Sequence, residues 1–380
     1  KTILDVAKKP NIDALAKRGI VGTVKTVPNG LKPGSDVANL AVMGYNPLKC
    51  YTGRSPLEAV SIGIKMKDTD VAIRCNLVTL SDEENISDRM MLDYSAGEIS
   101  TEEASELIRS VEEELGNNEF KFYPGVSYRH CLIWSEGKTG LQLTPPHDIS
   151  DKAVKGHLPD NKKILGLMER SYKILKDHPV NVKRMADGKN PANSIWLWGE
   201  GTKPAVEDFE KKNGVKGAVI SAVDLIKGIG ISAGMESIDV FGATGTVDTN
   251  YEGKLEAAKK ALLIDGNDFV YIHLEGPDEC GHHGDAEGKI LAVERIDERI
   301  VGPVCEAMRE ANEEFAILIM PDHPTPVATK THSSDPVPFL IYRSNDEKQG
   351  RAYSEKEAAK SGIFIEEGYT LLEKFIKNTL

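Results

Sequence analysis

At 380 residues the chain is long for one hydrophobic core, so two domains are expected. Its 40% hydrophobic and 28% charged residues exclude a largely disordered chain. A formal charge of -12 opposes nonspecific attraction to nucleic acid or an anionic membrane, leaving a local basic pocket as the place for a small anion.

No apolar run approaches the ~18 residues of a membrane span, and no charged-then-apolar leader opens the chain. A cytoplasmic address with no membrane and no nucleic-acid partner is therefore expected. Cysteines at 50, 75, 131, 280 and 305 form no CxxC pair, which fits a reducing compartment.

Residues 11–18, NIDALAKR, have helical spacing and stop at Gly19, and IVGTVKTV then predicts a strand. PNGLKPGSDVANLAVMGY reads as a Gly/Pro loop feeding a helix with Val37, Leu40, Ala41 and Gly44 toward a core. The middle, 61–205, changes character. DVAIRCNLVTL and VSYRHCLIW predict strands, TEEASELIRSVEEELG and LGLMERSYKILKD predict helices, and 187–203, rich in Gly, Pro and Asn around IWLW, reads as a return linker. Alternation resumes at VKGAVISAVDLIKGIG, followed by the strands DFVYIHLEG, EFAILIMPDH and VPFLIY. This order predicts a split α/β core, 1–60 and 206–380, carrying an inserted α+β lid over 61–205.

Chemistry concentrates where those strands end. In HLEGPDECGHHGD, Asp278 and His282 are four residues apart and can face one cation, whose preferred donors are carboxylate oxygen and neutral imidazole. On a regular helix His283 points away from them. A second strand end supplies Asp322 and His323, and His332 follows in a loop able to return. Ligands of open α/β sheets bind outside the carboxyl ends of the strands, which raises the value of both clusters over solvated turns or core histidines. Ser35 opens a helix after a Gly-rich turn. There it reads first as an N-cap, and the same turn can expose it as a nucleophile to a phosphate held by backbone N–H groups. Five ligands and Ser35 make a two-cation site in which one ion lacks a carboxylate.

These residues, with PNIDALAKRG, GSDVANLAVMGY, MLDYSAGEIS, GVSYRHCLIW, NPANSIWLWGEG, GATGTVDTN, GPDECGHHGD and PDHPTPVATKTHSSDPVP in this order, resemble the archaeal-type cofactor-independent phosphoglycerate mutases of the alkaline phosphatase superfamily. The resemblance implies an alkaline phosphatase-like core with a central, mostly parallel sheet flanked by helices. It implies Ser35 as nucleophile, Asp278, His282 and His332 as one ligand set, and Asp322 and His323 as part of the other. The family carries a further aspartate in a GDGMAD-like first strand that has no counterpart here, so a truncated chain is expected in preference to an altered metal site. Two divalent ions are implied, manganese first, with zinc, magnesium or cobalt as alternatives, and no bisphosphoglycerate.

Arg129 and His130 in SYRHC resemble active-pocket residues, suited to anion recognition and proton exchange. Arg54, Arg74 and Lys216 are further substrate-binding candidates, each with an ordinary salt bridge as the competing reading, while Trp196 and Trp198 are expected to pack the domain junction. The implied partners are 3-phosphoglycerate and 2-phosphoglycerate, exchanged through a phosphoserine beneath a lid that excludes water. A phosphatase or other phosphomutase on the same core is the alternative enzyme, and an impaired metal-binding phosphoester sensor the alternative of another class. A monomer and a small homo-oligomer both remain open.

Overall fold

The computed structural model describes residues 1–380, which form two compact units, Lys1–Tyr51 with Ala205–Leu380, and Thr52–Pro204. Against the expected boundary at 60/61, helix Ser55–Ser61 lies in the second unit, packed on its strands Val71–Leu80 and Ser194–Thr202.

The first unit is mixed α/β, and its strands fall into two sheets instead of the expected single, mostly parallel one. Strands Phe269–Ile272, Gly217–Ile220 and Glu236–Ile238 form a parallel sheet in that order. Helices Asp224–Ser232 and Tyr251–Leu263 make the crossovers that parallel pairing demands. The other sheet orders Ala316–Ile319, Val337–Arg343, Ile20–Val24 and Phe364–Ile365. There Ile20 pairs with Ile341 and Val24 with Val337, so the central pair is antiparallel. A non-helical loop, 320–336, returns the chain from Ala316–Ile319 to its neighbour Val337–Arg343, and a return of that kind reverses strand direction.

Helix Pro10–Ala16 shows how the chain is tied to this unit. Proline supplies the preset φ of a first helical turn and removes one orphan donor, and Asp297 takes the next two. The buried Asp297 carboxylate accepts from Asn11 N at 3.2 Å and Ile12 N at 2.7 Å. Ile12, Leu15 and Ala16 then close a core with Val21, Leu340 and Tyr342.

The second unit is built on antiparallel pairs. Strand Val71–Leu80 runs between Arg129–Trp134 and Ser194–Thr202, and Phe120–Val126 extends the sheet. Helix Thr101–Leu115 buries Ala104, Leu107, Ile108, Val111 and Leu115, a stripe at helical spacing that packs into the unit's core with Leu167 and Met168 of helix Lys162–Leu175. Burying each large aliphatic side chain contributes about 1.5–3 kcal/mol. The segment expected to be a return linker is instead the strand Ser194–Thr202. Its Asn and most of its turn-forming residues precede the strand, Gly199 and Gly201 fall in its last half, and Ile195, Trp196 and Leu197 are buried in the sheet.

No helix is long and apolar enough to cross a membrane, and all five cysteines are free and buried.

Candidate metal centre, nucleophile and anion pocket

Two chain segments in the first unit bring the five predicted aspartate and histidine ligands together. Strand Phe269–Ile272 leads into helix Gly276–His283, which carries Asp278 and His282 one turn apart. The loop after Ala316–Ile319 carries Asp322, His323 and His332. Asp278 lies 3.3 Å from His282 Nε2 and 3.4 Å from His332 Nε2, and those two nitrogens are 2.9 Å apart. Donor atoms of Asp278, His323 and His332 all fall within 4.8 Å of one another, so His323 also reaches the set expected to be separate. His283 turns back to the Glu279 carbonyl and stays exposed.

The ring tautomers are set by the partners. His282 Nδ1 is 3.0 Å from the Lys330 carbonyl, which can only accept, so the proton sits on Nδ1 and Nε2 presents a lone pair. Burial raises the Asp278 carboxyl, but hydrogen bonds from His332 and Thr325 outweigh it and hold the group well below the usual carboxylate range. His332 is correspondingly raised, first by its bond to Asp278. A carboxylate beside two imidazole nitrogens, one of which gives up its proton to the solvent when a cation takes its place, is a donor set that fits a divalent cation.

Ser35 is the first residue of helix Ser35–Val42 rather than its cap, since Gly34 occupies the N-cap position. Its half-buried Oγ is 3.0 Å from His323 Nε2, at the positive end of the helix dipole. Asp36 stays structural, accepting from Val37 N and the Tyr51 hydroxyl.

Sequence reasoning missed the groups that hold this site. Fully buried Asn39, one turn beyond Ser35, donates to the Ser35 carbonyl at 2.8 Å and to Asp322 Oδ2 at 2.7 Å, and accepts from the Tyr271 hydroxyl. Thr26 Oγ1 donates to the Asp322 carbonyl. A lone asparagine inside the apolar run VANLAV was the available signal.

The second unit has a cavity of about 190 Å³ lined by Arg74, Asn76, Arg129, His130, His147 and Trp198, with three further side chains. Arg74 is engaged by Glu58, through Nε at 2.8 Å and a second contact, and lies 4.5 Å over the Trp198 ring. Arg54 is not in the lining and pairs with the same carboxylate at 3.8 Å. Arg129 is exposed beside Tyr128. His130 is buried, accepts from Gly125 N at Nδ1 across 3.0 Å, and has no partner at Nε2. Burial pushes its pKa down to about 3, against the pull of the Ser127 backbone. His130 is thus neutral near pH 7, with its proton on Nε2 and available for donation. Trp196 packs the second unit's own core. Lys216 is exposed at the amino end of strand Gly217–Ile220, the end opposite Ser221 and His273, and its backbone N–H rather than its amine meets Asp268.

Comparisons with known proteins bear on this arrangement. A family profile described as 2,3-bisphosphoglycerate-independent phosphoglycerate mutase matches residues 16–181. The chain is 49% identical to a probable 2,3-bisphosphoglycerate-independent phosphoglycerate mutase of Geobacter sulfurreducens, covering 99% of this chain and 94% of that protein. It is 47% identical to the 2,3-bisphosphoglycerate-independent phosphoglycerate mutase of Methanosarcina barkeri, with the same coverages. Among solved structures, the cofactor-independent phosphoglycerate mutase of Thermoplasma acidophilum shares the fold, with a TM-score of 0.70 and 24% identity over 100% of this chain and 94% of that one.

Proposed function

The chain belongs to the 2,3-bisphosphoglycerate-independent phosphoglycerate mutase family, and from that membership we propose that it interconverts 3-phosphoglycerate and 2-phosphoglycerate through a phosphoserine on Ser35. The observation that carries this reading is the 3.0 Å approach of Ser35 Oγ to His323 Nε2 beside Asp278, His282, Asp322 and His332.

Ser35 loses its proton and its oxygen attacks phosphorus in line, forming one P–O bond as the bond to the glycerate oxygen breaks. The glycerate oxygen left behind takes up a proton. The neighbouring hydroxyl then loses its proton and attacks the phosphoserine, the P–O bond to Ser35 breaks, and the serine oxygen takes up a proton. No bisphosphoglycerate is required, because the phosphoryl group waits on the protein. Asn39 keeps the Ser35 backbone and the Asp322 carboxylate in register during both transfers. Asp278, His282 and His332 would hold one divalent cation, and Asp322 with His323 another. When bound, such ions, manganese first, with zinc, magnesium and cobalt as alternatives, supply the positive charge that neutralises the phosphoryl oxygens.

Arg129, Arg74 and the His130 Nε2 donor give the second unit's pocket the chemistry to hold a small organic anion. Excluding water while the phosphoserine exists is the task assigned to that unit, since hydrolysis would turn the mutase into a phosphatase. A cytoplasmic address goes with this substrate pair.

A phosphorus-31 NMR time course with 3-phosphoglycerate and manganese tests the reading. Appearance of 2-phosphoglycerate with little inorganic phosphate is expected. Mainly inorganic phosphate would replace the mutase with a phosphatase.

A further inference from the structure

We propose that Thr325 is a positioning residue whose hydroxyl orients His323 and Asp278 together, so that the two candidate cation sets form one directed chain from Ser35 through His323 and Thr325 to Asp278. The proposal rests on the metal-binding reading of the same site, and Thr325 itself is not a ligand.

Thr325 is 4% exposed, so water is not an easy substitute for its partners. Its Oγ1 contacts Asp278 Oδ1 and lies 3.3 Å from His323 Nδ1. An ionised carboxylate only accepts, so the single hydroxyl proton goes to Asp278. The threonine oxygen then has only lone pairs for His323, and Nδ1 of that ring must carry the proton. With Nδ1 engaged by the threonine, Nε2 is the ring nitrogen turned to Ser35 Oγ at 3.0 Å. One hydroxyl fixes the tautomer of a ligand from one loop and the orientation of a carboxylate from a helix 47 residues earlier.

Close packing holds the hydroxyl in that position. The Thr325 carbonyl accepts from Lys289 Nζ at 2.6 Å. It also lies so near Gly281, in the helix that carries Asp278 and His282, that a Cβ there would meet it at 2.4 Å. The glycine between the two ligands thus lets their helix approach the His323 loop. Deleting the hydroxyl would release the His323 tautomer and remove a charge-assisted bond from Asp278, the kind of outer partner whose loss typically weakens a metal site about 10- to 100-fold.

The test measures cobalt(II) binding by visible absorption and calorimetry in the metal-free, full-length protein without phosphoglycerate, alongside the melting temperature of each metal-free variant. Failure of the mutase reading would leave this readout intact. Thr325→Val and Thr325→Ala are expected to bind cobalt about 10- to 100-fold more weakly, whereas Thr325→Ser, which keeps the hydroxyl, stays within about threefold of the parent. Metal-free melting temperatures are expected to differ little between Thr325→Ser and Thr325→Ala. If Thr325→Val does not fold, the Ser and Ala pair decides. Parental affinity in the hydroxyl-free variants would overturn the proposal. So would equal losses in Ser and Ala, or losses that merely track metal-free melting, because either would assign Thr325 to packing alone.

Discussion

Asn39 Nδ2 donates to Asp322 Oδ2 across 2.7 Å, joining the helix that begins at Ser35 to a loop 283 residues later. The same amide nitrogen reaches the Ser35 carbonyl, and the Tyr271 hydroxyl fixes which way the amide faces. The proposed nucleophile Ser35 and the candidate ligand Asp322 are thereby held by one buried group.

Replacing Asn39 with Leu keeps the volume roughly and strands three polar groups, each costing about 1–3 kcal/mol when buried without a partner. Thermal or urea denaturation is expected to show a loss of that order, with turnover falling as well. Tyr271→Phe removes one hydroxyl and is expected to cost only about 1 kcal/mol. Equal stability of Asn39→Leu and the parent would count against the network.

Ser35→Ala removes the proposed nucleophile from a helix whose cap is Gly34, so the helix should persist. Mutase activity is expected to vanish while circular dichroism and melting stay near parental values. Substantial turnover in the pure variant would remove Ser35 from its role.

His130 gives a pH signature. Its folded pKa of about 3 lies below the unfolded value, so the unfolded chain binds the extra proton more readily. The stability this neutral ring contributes is complete above about pH 6.5 and is lost as pH falls toward the folded value, at about 1.4 kcal/mol per pH unit. Between pH 7 and pH 5 the parent should lose about 2 kcal/mol more than His130→Asn. Parallel pH profiles for the two proteins would contradict a buried neutral His130.

Arg129 is the pocket arginine for which no carboxylate partner is seen, whereas Arg74 is already engaged by Glu58. Arg129→Ala is expected to raise KM about 10- to 100-fold through loss of a charge-assisted contact, with kcat less affected. Arg74→Ala should act more through stability. Steady-state kinetics separate the two.

Metal removal tests the first unit directly. A cation bound at 100 times its Kd stabilises the folded form by about 2.7 kcal/mol, so chelation should lower the melting temperature and manganese restore it. Asp278→Asn should blunt that response. A melting curve indifferent to chelator and manganese would deny a bound ion.

The candidate ligands Asp278, His282, Asp322 and His323 were legible in sequence because each follows an apolar strand or sits one helical turn from another, and both patterns survive without knowledge of pairing; His332 follows only through the loop beyond them. Ser35 was legible for a similar reason, at the junction of a Gly/Pro loop and a periodic helix. Thr325 and Asn39 were not, because their roles arise only when distant segments meet. Strand direction escaped for the same reason: apolar runs predict strands, but the return through 320–336 decides that Val337–Arg343 runs antiparallel to its neighbours. At Ser194–Thr202 flanking Gly, Pro and Asn obscured a run whose buried Ile-Trp-Leu core was the stronger signal. The lowered pKa of His130 was not legible, because it depends on burial and on a backbone donor at Nδ1.

The phosphoserine is tested most directly by mass spectrometry of enzyme mixed with 3-phosphoglycerate and manganese and quenched in acid during turnover. One added phosphoryl group is expected on the peptide containing Ser35, absent in Ser35→Ala. Active turnover with no phosphorylated peptide, or with the label on another residue, would contradict it.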